Sequence, residues 1–434
     1  MQYRSAFVRT LRTAVLMLLA GVAIHASCQP VQPVLSLAQK ERPALLETLK
    51  KLTAIESGSR EPEELDRIAK VLAAKLQALG GKVELIEPVE ADTQRLSDTP
   101  EKLGKMVRAT FTGSGMKKIL LLAHMDTVYP RGMLAQQAFR IDGDRAYGLG
   151  IADNRQGIAV ILHSLAMLKA MNFREYGTIT VFINADEEIG SPGSRNHHTR
   201  LGGEHDAVMS FEGGGNPQDD RVRLATSGHA LALLTVRGRA SHAGSAPERG
   251  VNALDELAFQ IVQMRDLSDP ATGVKVNWTL AQAGLVSNMI PPRAQASADV
   301  RVARVADYDG IEQKLRERVK KRLLPESQVE LVFERRFPPL EPKPASRALS
   351  AHAQAVYREI GLKLNVLEDS AGGFTDAANA SLKTNAPVIE GFGLRGFGAH
   401  TTNAEYILIS SIEPRLYLAT RLIMDVAQGK APLK

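Results

Sequence analysis

Beyond residue 80, short apolar runs alternate with helix-spaced apolar stretches, and this alternation narrows the possible folds more than any other feature. The runs 82–86, 106–111, 119–123 and 178–184 are bounded by turn residues and predict strands. Between the last two, 154–171 carries apolar residues at helical period. Strands separated by helices imply a mainly parallel sheet covered by helices, an α/β layer. Upstream, Leu45, Leu46, Leu49 and Leu52, then Ile68, Val71, Leu72, Leu76 and Leu79, predict two helices between Leu35 and Gly80.

Near Thr226 the order changes. Strand 230–236, helix 252–264, strands 274–281 and 294–302, helix 311–322 and strand 329–334 spell βαββαβ, a small ferredoxin-like sandwich. The Pro-rich stretch from Phe337 to Pro344 reads as a hinge, after which helical and strand patterns resume. The expected organisation is one unit built from 30–225 and 340–434, with 226–339 inserted.

The first residues stand apart. Arg4, Arg9 and Arg12 precede an apolar run from Ala14 to Ile24 with no acid among them, which predicts a secretory signal peptide over 1–27. Without those arginines the formal charge of +6 falls to +3, which gives no reason to expect nucleic-acid binding. The single cysteine, Cys28, excludes an internal disulfide. Ala26-Ser-Cys28 resembles the end of a lipoprotein cleavage box, although His25 stands where that pattern has an aliphatic residue. A periplasmic or secreted protein is expected, with a lipid anchor at Cys28 as the alternative.

Histidines and carboxylates gather where strands end: His124 and Asp126, Asp153 and Asn154, Asp186 to Glu188, Glu212, and His400 near the C-terminus. In an open α/β sheet, loops leaving the strand carboxyl ends share one edge, so these residues can converge. Mixed nitrogen and oxygen ligands without thiolates suit catalytic zinc. Taken singly, each cluster is an ordinary loop feature; taken together and in order, coincidence is a poor explanation.

The strings Leu122-Ala-His-Met-Asp-Thr-Val128, Gly148-Leu-Gly-Ile-Ala-Asp-Asn154, Asn184-Ala-Asp-Glu-Glu-Ile-Gly-Ser191, Ala240-Ser-His-Ala-Gly244 and Gly398-Ala-His400 resemble the successive signatures of the M20 metallopeptidases, within them the glutamate carboxypeptidase branch. The resemblance spans nearly the whole chain beyond the signal segment. It implies an exopeptidase-type mixed sheet with helices on both faces and an inserted ferredoxin-like dimerisation domain. It also implies two Zn2+ ions per subunit, with Asp153 bridging, His124 and Glu212 completing one ion's ligands, and Glu188 and His400 the other's. Two ions held close by one carboxylate turn a water into a nucleophile at neutral pH. Glu187 is then the implied general base, and Asp126 the acceptor that fixes the His124 tautomer. At Asp153 the resemblance implies a cis non-proline peptide bond.

The same resemblance assigns residues outside the metal ligands. Arg301 matches the arginine that relatives aim at a substrate carboxylate, Asn288 is expected as its polar neighbour in substrate binding, and Thr375 lies in the family's pocket loop, where Phe374 replaces a common glycine. Arg221 and Arg223 lie just before Thr226-Ser-Gly228, where glutamate carboxypeptidases have a basic residue. His242 is the implied oxyanion donor, reaching the active site of the partner in a homodimer. The implied substrate is a small molecule or short peptide with a free carboxylate, cleaved to release a C-terminal amino acid, glutamate in the first instance. Two alternatives stand beside this reading: another M20 amidohydrolase, a dipeptidase or N-acyl amino acid deacylase, and a non-catalytic periplasmic binding protein. Intact Glu187 argues against the second, because binding alone needs no general base. His163, His197, His198, His205, His229 and His352 carry no comparable pattern and read as surface or packing residues.

Overall fold

The computed structural model describes residues 29–370, 372–401 and 404–434. The signal segment 1–27 and Cys28 lie outside the described residues. Among the described residues, no helix is long and apolar enough to cross a membrane.

The main sheet runs Lys82–Ile86, Met106–Thr112, Thr178–Asn184, Lys118–His124, Ala207–Ser210, Val388–Glu390, Asp219–Arg223, Leu364–Leu367, with Gly215–Asn216 beside Asp219–Arg223. Its centre is parallel: Thr178–Asn184, Lys118–His124, Ala207–Ser210 and Val388–Glu390 all run the same way. One edge is antiparallel, which makes the sheet mixed as the resemblance implies: Lys82–Ile86 and Met106–Thr112 pair antiparallel to each other, and Met106–Thr112 antiparallel to Thr178–Asn184. The link between the first two contains only the short turn Glu90–Asp92. With no crossover helix available, an antiparallel return is the geometry open to it.

Helices cover both faces of this sheet. Ile119 and Leu121 pack into the large core with Leu49, Leu72, Ile161 and Leu418, whereas Leu120 and Leu122 point the other way, toward Leu201 and Ala377. An unbroken apolar run is what a strand buried on both sides requires. The helix expected over 154–171 begins at Gln156 and ends at Ala170. Ahead of it, Asp153 and Asn154 leave helical geometry, and the bond between them is cis.

A separate four-stranded antiparallel sheet has its own apolar core. Its order is Lys275–Ala283, Arg293–Val302, Gly228–Arg237, Gln328–Phe337. The helices Ala253–Gln263 and Asp307–Arg318 set Leu257, Ile311 and Leu315 against Ala230, Ala232 and Leu234. Asn252 caps the first helix through Leu254 N and Asp255 N. The second starts four residues before the expected 311, and Asp307 and Asp309 in its first turn suit the positive end of the helix dipole.

A third sheet was not anticipated from sequence. It is antiparallel and joins Gly396–Phe397, Tyr406–Leu408, Arg145–Tyr147 and Arg140–Asp142. Strands of two or three residues leave too few positions for an alternating pattern to be read.

Candidate metal centre

Three neighbouring parallel strands deliver ligand-type side chains to one edge of the main sheet. Lys118–His124 ends on His124; Thr178–Asn184 is followed by Glu187 and Glu188; Ala207–Ser210 is followed by Glu212. His124 is in register with Asn184, so the first two loops leave side by side. Gly157 lets the following helix approach, because a Cβ there would collide with the Phe211 carbonyl oxygen.

Asp153 stands between two groups. Its Oδ1 lies 3.0 Å from His124 Nε2, which is also 3.1 Å from Glu212 Oε1. Its Oδ2 lies 3.1 Å from His400 Nε2, which is also 3.3 Å from Glu188 Oε2. Each triplet offers ligand atoms within 4.8 Å of one another. Ligands about 2.0–2.1 Å from a tetrahedral ion lie roughly 3.3 Å apart, so both triplets have the spacing of a metal site. Glu188 Oε1 is buried with no hydrogen-bond partner among the described residues, an oxygen that a cation would satisfy.

The charge balance points the same way. Asp153, Glu187, Glu188 and Glu212 put four carboxylates around two imidazoles. Burial pushes Glu188 up to about 8 and Glu212 up to about 7, with Asp153 adding to both. Burial also raises Glu187 well above the usual carboxylate range, opposed by His124 and reinforced by Glu188, Asp376 and Glu212. His400 is pushed up to about 10 by its hydrogen bonds to Asp153 and Glu188. Such concentrated negative charge is what two divalent cations would neutralise.

Residues 120–425 match the family described as Peptidase family M20/M25/M40. The chain belongs to this family. It is 42% identical over 428 residues to carboxypeptidase G2 of Pseudomonas sp. strain RS-16, covering 99% of each chain. Among solved structures, an M20 family metallo-carboxypeptidase from Sulfolobus solfataricus shares the fold at a TM-score of 0.71 and 16% identity, over 88% of this chain and 99% of that one. A Bacillus subtilis protein described as a dinuclear metal binding peptidase of the M20 family shares it at 0.63 and 16%, over 90% and 99%.

In this M20 hydrolase three buried charged groups hold the ligand loops. Asp126 Oδ1 lies 3.3 Å from His124 Nδ1, while the carboxylate accepts from Ser59 Oγ at 2.7 Å and from the amides of Glu187 and Glu188 at 3.1 Å each. One carboxylate thus orients His124 and positions the loop carrying Glu187 and Glu188. The fully buried Arg155 donates to the carbonyls of Met125 and Ile55 and to Ser57 Oγ. Glu405 accepts from Tyr129 Oη at 2.7 Å and from the backbone amides of Gly150, Ala152 and Asp153 at 3.1, 2.7 and 3.0 Å.

Sequence reasoning missed Ser59, Arg155 and Glu405. The one available signal for Glu405 was an acid five residues beyond His400. Its four donors define a prediction. A glutamine keeps the shape but offers one acceptor oxygen, and turns an NH2 toward backbone N–H groups. Glu405→Gln is expected to weaken metal binding by about 10–100-fold, read by titration in metal buffers, while activity at saturating metal stays closer to the parent.

A cavity of about 410 Å³ adjoins the centre and is lined by Asp153, Glu212, Arg223, Phe374, Thr375 and Phe397, among others. Glu390 closes it from behind: it accepts from Thr375 Oγ1 and, at 3.1 Å, from the Glu212 amide. Arg223 reaches this closed end and donates to the Gly213 carbonyl at 2.8 Å. Arg221, two residues earlier, is absent from the lining and pairs with Asp219.

Arg301 lies outside the lining too. Its Nε and Nη2 grip Asp299 at 2.8 and 2.9 Å, Nη1 donates to the Gly372 carbonyl at 3.1 Å, and its guanidinium sits 5.3 Å from the Phe374 ring. Phe374 stacks between Phe337 and His229, tying the pocket loop to the inserted sheet. Asn288 and His242 are neighbours on an exposed part of that inserted unit, with the Ala243 amide donating to the Asn288 carbonyl at 2.9 Å. His163, His197, His198 and His205 are buried, and His352 pairs with Asp425 at 2.8 Å.

Proposed function

We propose that the chain is a two-zinc carboxypeptidase that hydrolyses the amide bond to a C-terminal amino acid, glutamate in the first instance, from folate-like, acyl-glutamate or short peptide substrates. The observation that carries this is Asp153, shared between two His/Glu pairs at the mouth of a cavity whose closed end holds an arginine. The extent of identity to a protein named carboxypeptidase G2 supports the same reading.

His124, Asp153 and Glu212 would hold one ion, and Asp153, Glu188 and His400 the other. Bound there, the pair supplies an acidified water and a polarised carbonyl. Glu187 takes the proton from the attacking water and returns it to the departing nitrogen; burial, which favours its neutral form, suits it to carry that proton. Arg223 meets the side-chain carboxylate of the leaving residue at the closed end of the cavity, and Thr375 lines that end. Arg301 is held by Asp299 and the Gly372 carbonyl outside the cavity lining, and its assignment to the α-carboxylate rests on the family resemblance.

Arg223 gives a direct test of the leaving residue. Arg223→Ala should lower kcat/KM for benzoyl-glutamate relative to benzoyl-alanine by about 10–100-fold, the cost of one charge-assisted contact. An unchanged ratio removes the argument for glutamate. The same assay with blocked basic residues and free dipeptides separates this activity from a deacylase or a dipeptidase.

The active unit is proposed to be a homodimer. His242 Nδ1 accepts from the amides of Gly244 and Ser245 at 3.1 and 3.2 Å, which puts the ring proton on Nε2, free to donate. His242 and Asn288 are exposed and line no part of the cavity in their own subunit. Strand Lys275–Ala283 forms the edge of the inserted sheet and leaves a ladder available for pairing. Mixing His242→Ala with Glu187→Ala subunits should restore activity, because one hybrid site has both groups. Verified subunit exchange without recovery places His242 outside the partner's site. The leader pattern supports export to the periplasm or beyond, with lipidation of Cys28 as the alternative.

A further inference from the structure

The small third sheet carries a row of rings that leads away from the mouth of the cavity. Phe397 is the direct cross-strand partner of Tyr406, Tyr406 of Tyr147, and Tyr147 of Arg140. Direct partners in an antiparallel sheet share a face, so all four side chains stand on one side. The opposite side sends Ile407 and Ala146 into the core. Four adjacent strands span three spacings of about 4.8 Å, so the row is roughly 14 Å long.

Its two ends differ. At the inner end Phe397 lines the cavity and is 62% exposed, a large apolar ring in water at the open side of the site. Toward the outer end the Arg140 guanidinium lies 3.5 Å from the centre of the Tyr147 ring, and in the middle of the row that of Arg145 lies 4.6 Å from the centre of the buried Tyr406 ring. Tyr147 and Tyr406 are themselves 5.4 Å apart. Both arginines are exposed, and among the described residues neither forms an ion pair. Stacking on tyrosine holds each guanidinium flat; Arg145 also bonds to the Tyr147 side chain and is drawn to Asp142, and the exposed N–H groups that remain can meet a carboxylate.

We propose that this face binds the acyl half of the substrate, and that it selects acyl groups carrying a planar ring near the scissile carbonyl and a negative charge one to two strand spacings, about 5–10 Å, farther out. The proposal rests on the reading of Arg223 and Thr375 as the seat of the leaving residue. With that residue at the closed end of the cavity, the acyl group must leave by the open end, over Phe397. A ring there stacks on Phe397, and a chain continuing along the row brings its carboxylate to Arg140 and Arg145.

The test uses four substrates with one leaving residue: acetyl-glutamate, benzoyl-glutamate, and benzoyl-glutamate extended at the para position by arms of equal length ending in a carboxylate or a carboxamide. For the parent protein, kcat/KM should favour the carboxylate arm over the carboxamide arm by about 5–10-fold, falling as salt is raised. The R140Q/R145Q double variant should bring that ratio near one, and R140K/R145K should recover part of it. F397A should cut the preference for benzoyl- over acetyl-glutamate by about 2–10-fold. Equal rates for the two arms in the parent, or a ratio unmoved by R140Q/R145Q, overturns the subsite while leaving the carboxypeptidase reading intact. Failure of the parent to cleave any of the four overturns both.

Discussion

Glu187→Gln is expected to lower kcat by about 10²–10⁴ while leaving metal content unchanged. The geometry sets the two members of the Glu187-Glu188 pair apart. Glu188 Oε2 faces His400 at 3.3 Å, inside one ligand triplet, whereas Glu187 belongs to neither triplet. Both amides are pinned by Asp126, so the two side chains diverge from one fixed stretch of backbone. Glutamine preserves volume and removes only the capacity to take a proton. Metal analysis alongside kcat decides between roles: loss of one ion per chain in Glu187→Gln would make it a ligand and leave proton transfer to Glu188.

Much of this site was legible in the sequence, and for a physical reason. Ligands set at the ends of parallel strands must share an edge, so the order of His124, Asp153, Glu188 and Glu212 along alternating strands and helices already brought them together. The residues that hold the ligands were not legible. Glu405, Arg155 and Ser59 act on backbone groups and on one another, and backbone contacts leave no spacing pattern in a sequence. Arg221 and Arg223 share a strand and a charge, yet only Arg223 lines the cavity, because Asp219 claims Arg221.

The fold divides in the same way. Long runs such as Lys118–His124 and the βαββαβ order were readable from periodicity. The antiparallel edge was not, since whether a link crosses over or turns back depends on what it contains. Nor was the small sheet, whose inner side is fixed by Ile407 and Ala146 alone.

Metal dependence should be complete rather than partial. Four carboxylates and two imidazoles share one site, Glu188 Oε1 lacks a partner among the described residues, and burial drives Glu187, Glu188 and Glu212 toward neutrality while His124 and His400 hold Asp153 ionised. Without cations, protons take up that charge. Burial then favours the neutral form of Glu187, and an acid that carries its proton cannot accept one from water. Losing both ions therefore removes the activated water and the base together, and the remaining rate should fall to background.

The most direct measurement is a zinc titration of verified metal-free protein, following hydrolysis of benzoyl-glutamate and bound zinc in the same samples. The account predicts no turnover at zero zinc, full activity at two ions per chain, and loss of the two-ion endpoint in Asp153→Ala. Full turnover by the metal-free protein, or a plateau at one ion per chain with full activity, would contradict it.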